Sequence, residues 1–114
     1  VHVRTYNVEM DMPTLDEARR LVIAEIRRAK RDRVRVLKVI HGWGSSGKGG
    51  TLCVGLRKSF RLRQAEGVIK DFVPGEKFSI FNRQVLALLE AVPELRCDPD
   101  LEVTNLGVTF VWIN

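Results

Sequence analysis

Residues 34–40 (Val-Arg-Val-Leu-Lys-Val-Ile) form a short, mostly apolar run that leads straight into ten residues of which five are glycine, His41-Gly42-Trp43-Gly44-Ser45-Ser46-Gly47-Lys48-Gly49-Gly50. A helical pattern then opens at Thr51. This succession constrains the fold more than any other feature. A short β-branched run suits a central strand buried on both faces of a sheet. A strand feeding a helix through a turn belongs to an α/β layer with other strands beside it. Glycines let the backbone take positive φ and approach a ligand closely, and the N–H groups that open a helix attract anions, phosphate above all. With His41, Trp43 and Lys48 in the same loop, it points to nucleic-acid or nucleotide phosphate.

The rest of the chain alternates in the same way. Residues 1–10 interleave Val3, Tyr6, Val8 and Met10 with polar residues and read as a strand that Pro13 ends. Thr14 and Glu17 have capping-box spacing. The helix they open runs to about Arg31 on an apolar stripe of Ala18, Leu21, Val22, Ile26 and Ala29. A second helix is expected over residues 51–63 on Leu52, Leu56 and Phe60, and a third strand over residues 67–73. A short helix follows over residues 82–91, a loop around Cys97 to Asp100, and a last strand over residues 107–113. The expected fold is α/β. It is a single-domain two-layer sandwich over residues 1–114, with a mixed sheet of about four strands and two or three packed helices.

Charge is distributed unevenly. Between Arg19 and Arg63 stand fourteen lysines and arginines against Glu25 and Asp32, a surplus of twelve positive charges in a chain whose net charge is +5. The remainder is therefore acidic by seven. Such asymmetry favours a polyanionic partner, with a solvated basic face as the plain alternative. No apolar stretch approaches the ~20 residues of a membrane span. Cys53 and Cys97 have no metal-ligand spacing and read as free thiols of a reducing compartment, hence a cytoplasmic domain.

Three motifs overlap in the glycine loop. Gly42, Gly47 and Lys48 fit most of a P-loop, but position 49 is glycine where serine or threonine would hold magnesium. Gly42, Gly44 and Gly47 fit a dinucleotide fingerprint, but the six-stranded fold it serves does not fit this length. The third is Ile40-His41-Gly42-Trp43-Gly44 after a buried strand, followed by a Ser/Gly loop and a helix containing Leu52. Together with Thr14-Leu15-Asp16-Glu17-Ala18 and Asn105-Leu106-Gly107-Val108-Thr109-Phe110-Val111, it resembles the Smr (small MutS-related) domain family.

That resemblance implies a compact α/β sandwich that binds DNA or RNA, and in some members an endonuclease that nicks or cuts it. It also exposes two departures. Where the family's first strand ends in Leu-Asp-x-His, this chain has Val8-Glu9-Met10-Asp11, keeping a carboxylate and replacing the histidine. The segment from Phe78 to Asp100 adds length and a helix.

Phosphodiester hydrolysis needs an activated nucleophile, stabilisation of the phosphoryl oxygens and a proton for the leaving oxygen. The candidate catalytic residues are His41, Glu9 and Asp11, brought to one sheet edge if their two strands are neighbours. Glu9 and Asp11, two apart on one strand face, are also placed to share a Mg or Mn ion. The candidate nucleic-acid contacts are Gly42, Trp43, Gly44, Ser45, Ser46, Gly47 and Lys48 in the loop, with Arg57, Lys58 and Arg61 on the helix after it. Trp43, flanked by glycines, is expected to be exposed and to stack on a base. The alternative is a non-catalytic nucleic-acid-binding or protein-interaction module that has lost the Leu-Asp-x-His motif.

Overall fold

The capping box expected at Thr14 is formed in the computed structural model, which describes residues 2–10, 12–43 and 50–114. The Thr14 hydroxyl accepts from the Glu17 amide at 3.2 Å, and the Glu17 carboxylate reaches back to the Thr14 backbone N–H. Helix α1 (Leu15–Arg31) starts there. Asp16 and Glu17 lie in its first turn and Arg28, Lys30 and Arg31 in its last, the arrangement the helix dipole favours.

Four strands, β1 (Val3–Asn7), β2 (Val36–Ile40), β3 (Asp71–Pro74) and β4 (Val108–Trp112), form one mixed sheet in the order β1-β2-β4-β3. β1 and β2 pair in parallel, with α1 as the crossover, in a register that sets Asn7 against Ile40. β4 enters antiparallel between β2 and β3. Helix α2 (Thr51–Ala65) connects β2 to β3, and α3 (Arg83–Ala91), capped by the Asn82 side chain, precedes a 3-10 helix at Pro93–Cys97.

The expected α/β class, the four-stranded mixed sheet and the three helices are all present. The helices divide between the two faces. On one face Leu37, Val39 and Val111 pack with Val22 and Ile26 of α1 and Leu56 and Phe60 of α2. On the other, Val36, Phe110 and Trp112 pack with Val85, Leu88 and Leu89 of α3 and with Leu95. This is why β2 and β4 read as nearly continuous apolar runs: strict alternation is lost when both faces are covered.

Lys38 is the exception in β2, and it is not a surface charge. Its ammonium lies 3.0 Å from Asp98 and 2.6 Å from Asp100, and 5.4 Å from the centre of the Phe110 ring. Burial works against that charge, but the hydrogen bonds to Asp100 and Asp98 outweigh it and leave its pKa raised. Asp100 also accepts from the Asn105 side chain at 2.8 Å, and the Asn105 carbonyl oxygen receives the Gly107 amide at 2.8 Å. A buried lysine thus anchors the loop that leads into β4.

A candidate nucleic-acid interface at the β1–β2–β4 edge

Because β1 and β2 are parallel neighbours, their C-terminal ends meet at one edge, and antiparallel β4 begins there. The His41 and Gly42 amides both donate to the Gly107 carbonyl at 3.0 Å, so the turn after β2 is tied to the entrance of β4. Gly42 has φ +74°, and the Glu9 carboxylate occupies the space that a side chain on Gly42 would need. Glu9 and His41 thus come to the same edge. Asp11, Gly44, Ser45, Ser46, Gly47 and Lys48 lie outside the described residues.

His41 is buried, and both of its ring nitrogens are engaged. Nδ1 lies 2.9 Å from the Gly42 carbonyl and Nε2 lies 2.9 Å from the Thr109 hydroxyl. A carbonyl can only accept, so Nδ1 carries the proton, and in the neutral ring Nε2 accepts from Thr109. The threonine oxygen in turn accepts from Arg57 Nε at 3.1 Å. Burial pushes the His41 pKa down to about 4; the Gly42 carbonyl pulls it upward and the Arg57 charge downward. The imidazole is therefore neutral at physiological pH and oriented by its partners.

Arg57 sits on α2, as its spacing requires, but faces inward. Its guanidinium holds Glu76 in a two-pronged pair at 2.7 and 2.8 Å and reaches the Val108 carbonyl at 3.2 Å. Burial would raise the Glu76 pKa, but the Arg57 hydrogen bonds prevail and lower it. The sequence singled out His41 and Arg57 without their connecting partners, Thr109 and Glu76. Thr109 does fall inside the C-terminal stretch that carries the Smr resemblance.

Lys58 and Arg61 are exposed on α2, and no described residue pairs with either. By contrast, much of the positive charge expected to surround the loop is placed elsewhere. Lys38 and Arg57 are buried against acids. Arg28 pairs with Glu25 at 2.9 Å, and Arg31 lies 3.6 Å from Asp32. α1 begins at the candidate edge and its 17 residues rise about 25 Å, so its basic last turn belongs to the opposite edge.

Trp43 is 49% exposed, as its flanking glycines suggested. One part of its indole covers Gly50, where an added Cβ would lie 2.8 Å from the ring. Gly50 is the N-cap of α2, has φ 76° and supplies no side-chain cap; the first turn carries no acid. Glu9, Ile40, Gly42, Trp43 and the segment 103–108 line an open cleft of about 650 Å³ beside it. Among the described residues no cluster of three His, Cys, Asp or Glu could hold a metal ion. β1 ends at Asn7, so Glu9 lies beyond the strand on whose face it was expected, and sharing of Mg or Mn by Glu9 and Asp11 remains a reading of the sequence. No described helix is long and apolar enough to cross a membrane.

The fold as a whole is similar to that of an Smr domain. The crystal structure of the Smr domain of Thermus thermophilus MutS2 is similar to this chain with a TM-score of 0.59, covering 100% of this chain and 99% of that one at 18% sequence identity. No family model matches the chain, and no curated protein matches it.

Proposed function

We propose that this domain binds nucleic acid along the edge formed by the turn after β2 and the start of α2. The observation that carries this reading is the position of Trp43. A half-exposed indole is held against the N-cap of a helix whose first turn has no acid. That arrangement offers a stacking surface for a base beside the positive end of a helix dipole. Lys58 and Arg61 extend the same helix with positive charge, and phosphate contacts of that kind position a strand without reading its sequence. The Smr-like fold and the His41-Gly42-Trp43-Gly44 motif support the same reading, with Gly44, Ser45, Ser46, Gly47 and Lys48 as further contacts.

Binding without hydrolysis by His41 fits the geometry best, because its two nitrogens are engaged inside the fold. Its part in this reading is to fix the Gly42 carbonyl and hence the turn that presents Trp43. Any hydrolytic role falls to Glu9 with Asp11.

Fluorescence anisotropy with labelled single strands and duplexes, from ~50 to ~300 mM salt, tests the proposal. Affinity is expected to fall steeply with salt. Lys58→Ala/Arg61→Ala should reduce the log–log slope by about two, roughly one per phosphate contact, and Trp43→Ala should weaken single-strand binding about tenfold, within the ~1–3 kcal/mol of a base stack. No binding at ~50 mM salt would overturn it in favour of a protein-interaction module. Incubation with plasmid and structured RNA, with and without Mg or Mn, tests hydrolysis: cleavage by the wild type that is lost in Glu9→Gln while binding to the same substrate is retained would establish it.

A further inference from the structure

The cleft beside Trp43 has a chemistry that phosphate binding does not use. Its volume, about 650 Å³, lies within the ~300–1,000 Å³ of small-ligand sites. Ile40, Val108, Leu106 and Val103 supply apolar lining, and Trp43 supplies an aromatic wall. Met10 and Met12, 75% and 78% exposed, follow Glu9 at the same edge. Among the described lining residues the charged group is the carboxylate of Glu9, which lies across Gly42 and to which no described residue donates. The Asn105 side chain is occupied on both sides, by Asp100 and by the Gly107 amide.

A carboxylate in such a place repels phosphate and accepts hydrogen bonds with both oxygens. Only one nucleobase presents two adjacent donors on its pairing edge. Guanine offers N1–H beside its 2-amino group. Adenine and cytosine place a ring-nitrogen lone pair next to their amino group, and thymine and uracil flank their N–H with carbonyls. Against a carboxylate, each of those edges sets at least one acceptor toward an acceptor.

We infer that the cleft formed by Glu9, Ile40, Gly42, Trp43 and the segment 103–108 takes an unpaired guanine base of the bound strand. The base stacks at Trp43 and directs N1–H and the 2-amino group to the Glu9 carboxylate. This rests on the nucleic-acid reading and adds to it a base preference and a requirement for an unstacked nucleotide. A base inside a duplex has its pairing edge occupied, so loops, bulges and single strands are the fitting substrates.

The test uses labelled 12-nucleotide single strands of thymidine with one central guanine, inosine or adenine, or with thymidine throughout. The wild-type domain is expected to bind the guanine strand about tenfold more tightly than the all-thymidine strand, within the discrimination of a bidentate base contact (~1–3 kcal/mol). Inosine keeps N1–H and lacks the 2-amino group, so it should lose most of that preference without any change to the protein. Glu9→Gln, checked for native circular dichroism, should bring the guanine-to-thymidine ratio close to one. Equal, salt-sensitive binding of all four strands would overturn the guanine site while leaving the nucleic-acid interface standing. Failure to bind any strand would overturn both.

Discussion

The Thr109 hydroxyl and His41 Nε2 lie 2.9 Å apart, and this bond completes a directed chain that starts at Arg57, itself held by Glu76, and runs through Thr109 and His41 to the Gly42 carbonyl. From Arg57 Nε onward each donor hands on to one acceptor. Reversing the histidine tautomer would face Nε2–H toward a threonine oxygen already accepting from Arg57 and leave an unprotonated Nδ1 against a carbonyl. The chain links α2, β4 and the turn after β2, the three elements that frame the candidate interface.

Thr109→Val keeps the shape of the side chain and removes the middle of that chain. It leaves Arg57 Nε and His41 Nε2 buried without their partner, at a cost of roughly 1–3 kcal/mol for such groups. Urea unfolding should show the midpoint falling with an unchanged slope. Thr109→Ser restores the hydroxyl and should recover most of the loss. Equal stability of the valine and serine variants would show that the chain contributes nothing.

The same burial makes His41 a source of acid sensitivity. Its folded pKa is about 4, against an ordinary value of about 6.5. The unfolded state therefore takes up a proton first as pH falls. The contribution of the neutral ring is fully present above about pH 6.5 and is lost progressively down to about pH 4, amounting to roughly 3 kcal/mol. Glu76 and Asp100, whose pKa values are lowered, add losses at lower pH as each is protonated. Unfolding free energies at pH 7, 6 and 5 should fall in that order, and His41→Gln, which cannot titrate, should flatten the dependence in this window. An unchanged slope in the variant would remove His41 as its source.

Gly42 and Gly67 separate two reasons for a glycine. Both have positive φ, +74° and +77°, but nothing lies within 4 Å of a Cβ added to Gly67, whereas one added to Gly42 meets the Glu9 carboxylate. Gly67→Ala should cost about 1–2 kcal/mol, the price of left-handed backbone alone. Gly42→Ala should cost more, and Glu9→Ala should bring the Gly42→Ala penalty down toward the Gly67→Ala value. Thermal melts of the single and double variants measure this coupling. Additive effects would show that Glu9 does not hold the position the geometry gives it.

Local signals made the element order readable. Thr14 and Glu17 announced α1 and the glycine loop marked the end of β2, because each acts within a few residues of itself, whereas β1 stops at Asn7, short of the run to residue 10 that Pro13 was expected to close. The face to which α3 packs was not readable, since its stripe of Val85, Leu88 and Leu89 fits either side of a sheet. The site was legible only in part for the same reason. Glu9, His41 and Trp43 stand next to strand ends or glycines that place them. Arg57 and Lys38 count as surface charge in any one-dimensional reading. Their burial depends on Glu76, Asp98 and Asp100, which lie 19 to 62 residues away along the chain.

Lys38 offers the sharpest test of how the cleft is held. Its ammonium joins Asp98 and Asp100, and through Asp100 and Asn105 it restrains the segment that forms one cleft wall. Lys38→Met fills similar volume but leaves two carboxylates facing each other without a cation. Breaking a buried pair in this way costs about 3–5 kcal/mol, part of which returns if one carboxylate is protonated. Stability of the variant should therefore improve, relative to wild type, as pH is lowered through the carboxylate range. The reverse holds for the wild-type pair: the lowered pKa of Asp100 means that its contribution is present above the ordinary carboxylate pKa and lost as pH falls through its folded value. Amide exchange should quicken at Leu101 and Gly107, whose N–H groups are bonded within this segment. The α1 amides, on the opposite face of the sheet, should change only as far as global stability changes. Uniform acceleration across both regions, with no excess in the segment 98–107, would show that Lys38 serves the whole fold and not this wall.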